Sequence, residues 1–148
     1  MRALLQRVGR AAVRVEGAEI AGIGNGLLIL LGVKAGEATS AADRLAERCA
    51  ELRIFEDDAG KMNRSVRDVG GEALVVSQFT LYADLSGGRR PGFEAAARPE
   101  EAEPAYERFC AALEARGVAT RRGRFGASME VELVNQGPAT FLLESPEA

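Results

Sequence analysis

Residues 2–8 and 11–16 alternate apolar and polar side chains on either side of Gly9-Arg10, with Val13 and Val15 facing one way and Arg14 and Glu16 the other. A period of two interrupted by glycine predicts a β-hairpin turning at Gly9-Arg10. Leu27 to Val33 is a continuous apolar run between Gly26 and Lys34, the pattern of a central strand covered on both faces. The glycines of Gly22-x-Gly24-x-Gly26 lead into this run; a dinucleotide-binding glycine motif follows a strand and opens a helix, so these predict a turn. Ser40 with Asp43 three residues later resembles a capping box, and Leu45, Cys49 and Leu52 then recur at i, i+4 and i+7. An amphipathic helix over 40–52 follows.

Ala73 to Leu81 reads as a second interior strand, turning polar at its end. Asp84 to Arg98, with Gly87, Gly88, Pro91 and Gly92, keeps neither period and predicts a long loop, a kind of segment that often carries function. Pro99 and the acids Glu100, Glu101 and Glu103 mark a helix start. Ala102, Tyr106, Phe109, Cys110 and Leu113 form its apolar stripe, and Gly117 its stop. Strand-like segments follow at 118–122, 129–134 and 139–143, the last two flanking a predicted tight turn at Asn135-Gln136-Gly137-Pro138. The order is mixed α/β: one domain over 1–148, a mixed sheet or partial β-barrel with two main helices packed on it.

Composition narrows the chemistry. A chain of 148 residues buries about 68–70% of its unfolded surface, enough for one core. There is no histidine, so a Ser-His or Cys-His nucleophile pair, an imidazole base and a His-ligated zinc are all excluded. Cys49 and Cys110 lie in the two helical segments and read as buried structural thiols. Met1 to Arg7 lacks a secretory apolar core and no uncharged apolar run nears the roughly 20 residues of a membrane span, which predicts a cytoplasmic, membrane-free protein. A net charge of −3 argues against indiscriminate nucleic-acid binding but leaves room for local basic patches, at Arg89-Arg90 and at Arg121, Arg122 and Arg124. Such charges are otherwise ordinary solvated loop charges.

Three segments could carry a site. Ser77, Gln78 and Thr80 end a hydrophobic strand, where backbone donors and hydroxyls face a ligand, although any sheet terminus looks similar. A Ser77 or Thr80 nucleophile needs a base; Lys34 and Lys61, the only lysines, have no spacing that pairs them with it, and Asp84 is the nearest acid. Gly123 to Met129 interleaves small residues with Phe125 and Met129, which suits a bulge or a slot for a flat ring. Gly137-Pro138 is a peptide bond that tolerates cis geometry and can aim adjacent carbonyls at an ammonium group.

Together these segments resemble one family. Ser77-Gln78-Phe79-Thr80-Leu81, Gly123-Arg124-Phe125-Gly126-Ala127-Ser128-Met129 and Asn135-Gln136-Gly137-Pro138-Ala139-Thr140 are similar to the S-Q-x-x-L, G-R-F-G-A-x-M and N-x-G-P-x-T signatures of D-aminoacyl-tRNA deacylases. Met1 to Val8, Gly26 to Val33, Arg53-Ile54-Phe55, Gly60 to Asn63 and Arg90-Pro91 are family-like as well, so the likeness runs nearly end to end.

The resemblance implies the deacylase fold and a homodimer that hydrolyses the ester of D-aminoacyl-tRNA, and of glycyl-tRNA, with no cofactor and no metal. It implies that Gly137-Pro138, cis in the family, enters the partner subunit's site, holds the substrate ammonium and excludes an L side chain. Ser77 and Gln78 would line the aminoacyl pocket, with the Phe79 and Thr80 amides polarising the ester carbonyl. Phe125, Ala127 and Met129 would bound the adenosine and aminoacyl group, and the ribose 2′-hydroxyl would help activate water; a Thr80 nucleophile is the older alternative. Arg89, Arg90, Arg121, Arg122 and Arg124 are the candidates for tRNA contact. Two other readings stay open: a noncatalytic RNA-end-binding dimer, and a general esterase using Ser77 or Thr80.

Overall fold

The alternation over residues 2–16 produces one strand where a hairpin is expected. In the computed structural model, which describes residues 1–145, β1 runs unbroken over Arg2–Val15 and the chain reverses at Glu16 and Gly17, whose φ angles are 52° and 80°. Residues 146–148 of the expected domain lie outside those described. Gly9-Arg10 marks a change of partner instead of a reversal. Arg2 to Val8 pair with β3 (Gly26–Gly32), Ala11 to Val15 pair with β2 (Ala18–Ile23), and the register on the opposite edge, against β8 (Glu130–Glu144), slips at this point. A glycine in a bulge lets the strand bend from one partner to the next.

The remaining strands are β4 (Phe55–Glu56), β5 (Met62–Arg64), β6 (Glu72–Ser77) and β7 (Ala119–Arg122). β4 and β5 form a small separate hairpin; the main sheet has the order β2-β1-β3-β6-β7, with β8 on the other edge of β1. β3 with β6, and β6 with β7, are parallel pairs and require crossovers. The two helices supply them: α1 (Ala41–Glu51) lies between β3 and β6, and α2 (Pro99–Ala115) between β6 and β7. Both match the predicted helices closely.

Period two along β3 and β6 divides their side chains between two cores. Leu27, Ile29, Leu31, Ala73 and Val75 face the helices, packing with Leu45, Cys49, Tyr106, Phe109 and Leu113. Leu28, Leu74 and Val76 face the other way, into Val8, Val13 and Ile23, and are closed over by Met129, Val131 and Leu133. The sheet thus curls nearly shut, and an apolar run with no alternation is what a strand covered on both faces demands. Gly26 is part of that economy, because a methyl group there would run into the backbone carbonyl of Glu72 on β6.

The Ser40 side chain makes no capping hydrogen bond. Asp43 turns instead toward α2, accepting from Arg108 at 2.9 and 2.7 Å, so the pair ties the two helices together. Cys49 and Cys110 are free and buried, and burial pushes both thiols up to about 12, which suits packing and not reactivity. No helix among the described residues is long and apolar enough to cross a membrane.

Candidate active site

β6 is apolar where it is sandwiched and polar where it emerges. The Gln78 N–H donates to the Leu31 carbonyl at 2.8 Å, after which the chain leaves the sheet in a single 3-10 turn over Phe79–Tyr82. At the head of that turn the Phe79 and Thr80 N–H groups have no acceptor among the described residues. The turn is held from behind by Arg2, whose guanidinium donates to the Leu81 carbonyl at 2.7 Å and lies 4.5 Å from the centre of the Tyr82 ring.

Beside it opens a cavity of about 450 Å3. Leu31 and Val33 form one side and Val76 to Phe79 the next; the first turns of α2 contribute Pro99, Ala102 and Tyr106, and Phe125, Gly126, Ala127, Met129 and Val131 complete the wall. Tyr106 donates from its hydroxyl to the Val75 carbonyl at 2.8 Å and packs 5.9 Å from the Phe125 ring, so it fixes the end of β6 against the cavity wall. Burial raises its phenol far above the ordinary range, leaving it a donor and not a base. Among the described residues no Asp, Glu, Lys or Arg lines the cavity. Its polar equipment is the Ser77 hydroxyl, the Gln78 amide, the Tyr106 hydroxyl already given to the Val75 carbonyl, and backbone groups.

Six of the expected residues therefore meet in one place: Ser77, Gln78, Phe79, Phe125, Ala127 and Met129. Thr80 is exposed outside the lining, its hydroxyl oxygen accepting a hydrogen bond from the Gln78 side-chain amide. Gly123 permits this closeness, since a Cβ there would come within 2.9 Å of the Met129 sulfur. Gly137 and Pro138 do not line the cavity.

Their segment is also not the tight turn between two strands that the sequence predicts. β8 is continuous, and both its halves pair with β1: Asn135 stands opposite Val8 and Thr140 opposite Gln6. Residues 136–139 thus face Arg7 alone and are pushed out as a bulge, with a cis Gly137-Pro138 peptide. Asn135 closes the neck by donating from its side-chain amide to the Arg7 and Ala139 carbonyls at 3.0 and 3.2 Å. Along the sheet, Arg7 pairs with Leu27, whereas the cavity lies at Leu31 and beyond, four residues or about 13 Å further on. Within one subunit the bulge points elsewhere.

Arg7 is the residue that sequence reasoning missed. Its side chain is buried and donates to the Ile54 carbonyl at 2.7 Å and the Gln136 carbonyl at 3.2 Å, anchoring the base of the bulge. A signal existed: Arg7 falls in phase with buried Ala3 and Leu5 on one face of β1. Replacing it, as Arg7→Met, leaves both carbonyls without their donor and is expected to cost about 1–3 kcal/mol in urea unfolding. An unchanged midpoint would show that the anchor contributes nothing.

Of the arginines considered for RNA contact, Arg122 is engaged by Glu107 and by Glu114 at 2.5 Å. Arg89, Arg90, Arg121 and Arg124 have no carboxylate within ion-pair distance among the described residues.

The chain is similar to known proteins over nearly its whole length. The D-Tyr-tRNA(Tyr) deacylase family model matches residues 4–144. A D-aminoacyl-tRNA deacylase of Cereibacter sphaeroides is 58% identical over 98% of this chain and 100% of that protein. One of Symbiobacterium thermophilum is 56% identical over 98% of this chain and 96% of the relative. Among solved structures, one described as c-Myc DNA Unwinding Element Binding Protein superposes with a TM-score of 0.92 at 39% identity, covering 99% of this chain and 100% of that one. A probable eukaryotic D-amino acid tRNA deacylase, 17% identical with a TM-score of 0.84 over 96% of this chain and 97% of its own, shares the fold. With its three signature segments in place on that fold, the chain belongs to the D-Tyr-tRNA(Tyr) deacylase family.

Proposed function

We propose that the protein hydrolyses the ester between a D-amino acid and the terminal adenosine of tRNA, accepts glycyl-tRNA, and rejects L-aminoacyl-tRNA. The observation that carries this reading is a cavity at the end of β6 with two unused backbone donors at its edge and, among the described residues, no carboxylate or amine in its wall. Such a site can bind an aminoacyl nucleoside and stabilise the oxyanion of ester hydrolysis. It cannot supply a strong base. Ser77 and Gln78 line the aminoacyl end, the Phe79 and Thr80 amides face the ester carbonyl, and Phe125, Ala127 and Met129 bound the nucleoside.

The selective element in this reading is Gly137-Pro138 of a second copy. Gln136, Gly137 and Pro138 of the bulge are exposed, and it lies about 13 Å along the sheet from its own cavity. Among the described residues β8 pairs on one edge only, and it shows Val134 and Leu142, 44% and 49% exposed, as a strand does that has a partner to meet. In a two-fold dimer each bulge enters the other subunit's cavity. There its carbonyls accept from the substrate ammonium, and its backbone occupies the space an L side chain needs. Glycine lacks a side chain to reject and passes.

Matched D- and L-aminoacyl-tRNA incubated with the protein separate the possibilities. Release of free amino acid from the D form alone, and from glycyl-tRNA, is the expected result. Equal release from D and L would make the protein a general esterase, and tRNA binding without release a noncatalytic binder.

A further inference from the structure

The loop that follows the 3-10 turn carries a feature for which the cavity has no use. Phe93 is 41% exposed and Phe79 57% exposed, their ring centroids 5.1 Å apart with planes inclined at 58°. Phe79 belongs to the cavity wall; Phe93 does not and stands just beyond its rim. The loop is pinned at its neck, because Asp84 and Gly92 exchange N–H to carbonyl hydrogen bonds of 2.7 and 2.9 Å immediately before Phe93. The Asp84 carboxylate is taken up by the Ser86 N–H and hydroxyl at 2.9 and 2.6 Å. Arg89 and Arg90 project from the same loop with no acid paired to either among the described residues, against one further acid of the loop, Glu94.

Exposed aromatic rings beside unpaired guanidinium groups form the combination that single-stranded nucleic acid uses, the rings for bases and the cations for phosphates. We propose that Phe93, backed by Phe79, is a stacking platform for the nucleobase that precedes the terminal adenosine, and that Arg89 and Arg90 take the phosphates around it. This rests on the reading that the terminal aminoacyl nucleoside fills the cavity. The next base outward then emerges past Phe79, and Phe93 is the ring it meets. The platform would select for a single-stranded RNA end irrespective of its sequence, since every base offers a flat face.

The test compares two substrates and one probe. Phe93→Ala is expected to raise KM for D-aminoacyl-tRNA roughly tenfold, the effect of losing one stacked base. It leaves hydrolysis of a D-aminoacyl-adenosine, which has no preceding base, unchanged; Phe93→Tyr restores the wild-type KM. Independently, an uncharged RNA hairpin with a single-stranded CCA end carrying 2-aminopurine in the penultimate position is expected to lose fluorescence on binding the wild type, and much less on binding Phe93→Ala. Equal losses on both substrates would assign Phe93 to the cavity wall and overturn the platform, as would a variant that behaves like wild type on both. If the wild type hydrolyses neither substrate yet quenches the probe through Phe93, the deacylase reading fails while the platform stands.

Discussion

Gly137→Val is expected to reduce turnover of D-aminoacyl-tRNA by about 100-fold or more while leaving the subunit folded. The two halves of that expectation have different physical sources. Inside its own subunit Gly137 is roomy, since an added Cβ would meet only the Asn135 side-chain oxygen, at 3.4 Å, an ordinary contact. Thermal melting is therefore expected to stay within a few degrees of wild type, the change that about 1 kcal/mol makes in a domain of this size. In the partner's cavity the same position would be a wall set against the substrate's α-carbon, and two extra methyl groups fill space the D substrate needs. A complementation experiment separates this action across the interface from a local one. Gly137→Val subunits mixed one to one with Gln78→Ala subunits would form mixed dimers in which an intact cavity meets an intact bulge at one of two sites. With half the dimers mixed, about a quarter of wild-type activity returns. No recovery on mixing would mean that bulge and cavity act within one chain, and full activity of Gly137→Val alone would remove the bulge from selection altogether.

Contacts between residues remote in sequence decide which parts of the fold its own sequence predicts. The two helices and the strand over Leu27 to Val33 were legible because each is decided by its own residues: Leu45 and Cys49 repeat at helical spacing, and Leu27 to Val33 are apolar throughout. The second interior strand, expected over 73–81, ends at Ser77, where the chain turns out of the sheet into the 3-10 turn over Phe79–Tyr82. The errors fall where a partner remote in sequence decides. Gly9-Arg10 resembles a reversal locally, and only the competition among β2, β3 and β8 for β1 turns it into a bend in one strand. Asn135 to Pro138 resembles a turn for the same reason, and its true form depends on register against residues 6–8. Two segments of the cavity wall, Ser77 to Phe79 and Phe125 to Met129, were legible because each carries its own unusual composition, whereas Asn135 to Thr140 lies off the cavity. Their convergence, and the turning of Arg124 away from the described lining, are properties of the folded sheet. Phe93 stood in a stretch without period, where nothing distinguishes an exposed ring from a buried one.

The uncharged wall leads to the second large effect: a D-aminoacyl-tRNA ending in 2′-deoxyadenosine is expected to be hydrolysed at least about tenfold more slowly than its ribose counterpart, a barrier increase of about 1.4 kcal/mol. Ester hydrolysis requires a group that takes a proton from water, or a hydroxyl made nucleophilic. The cavity offers Ser77 without a base, Tyr106 with a phenol held un-ionised by burial, and Gln78, an amide that can orient but not deprotonate. Thr80, the alternative nucleophile, lies outside the lining, and the hydrogen bond its oxygen receives from Gln78 lowers its electron density instead of raising it. In the proposed reaction the ribose 2′-hydroxyl, vicinal to the ester, comes with the substrate, and binding alone would position it against the water that attacks. The protein's share is then orientation and the two amides at the head of the 3-10 turn. Thr80→Ala, in the same assay, is expected to keep most of its activity. Were Thr80→Ala to lose more than about 100-fold while the deoxy substrate turned over normally, the hydroxyl that matters would be the protein's own, and the tRNA would be a passive substrate.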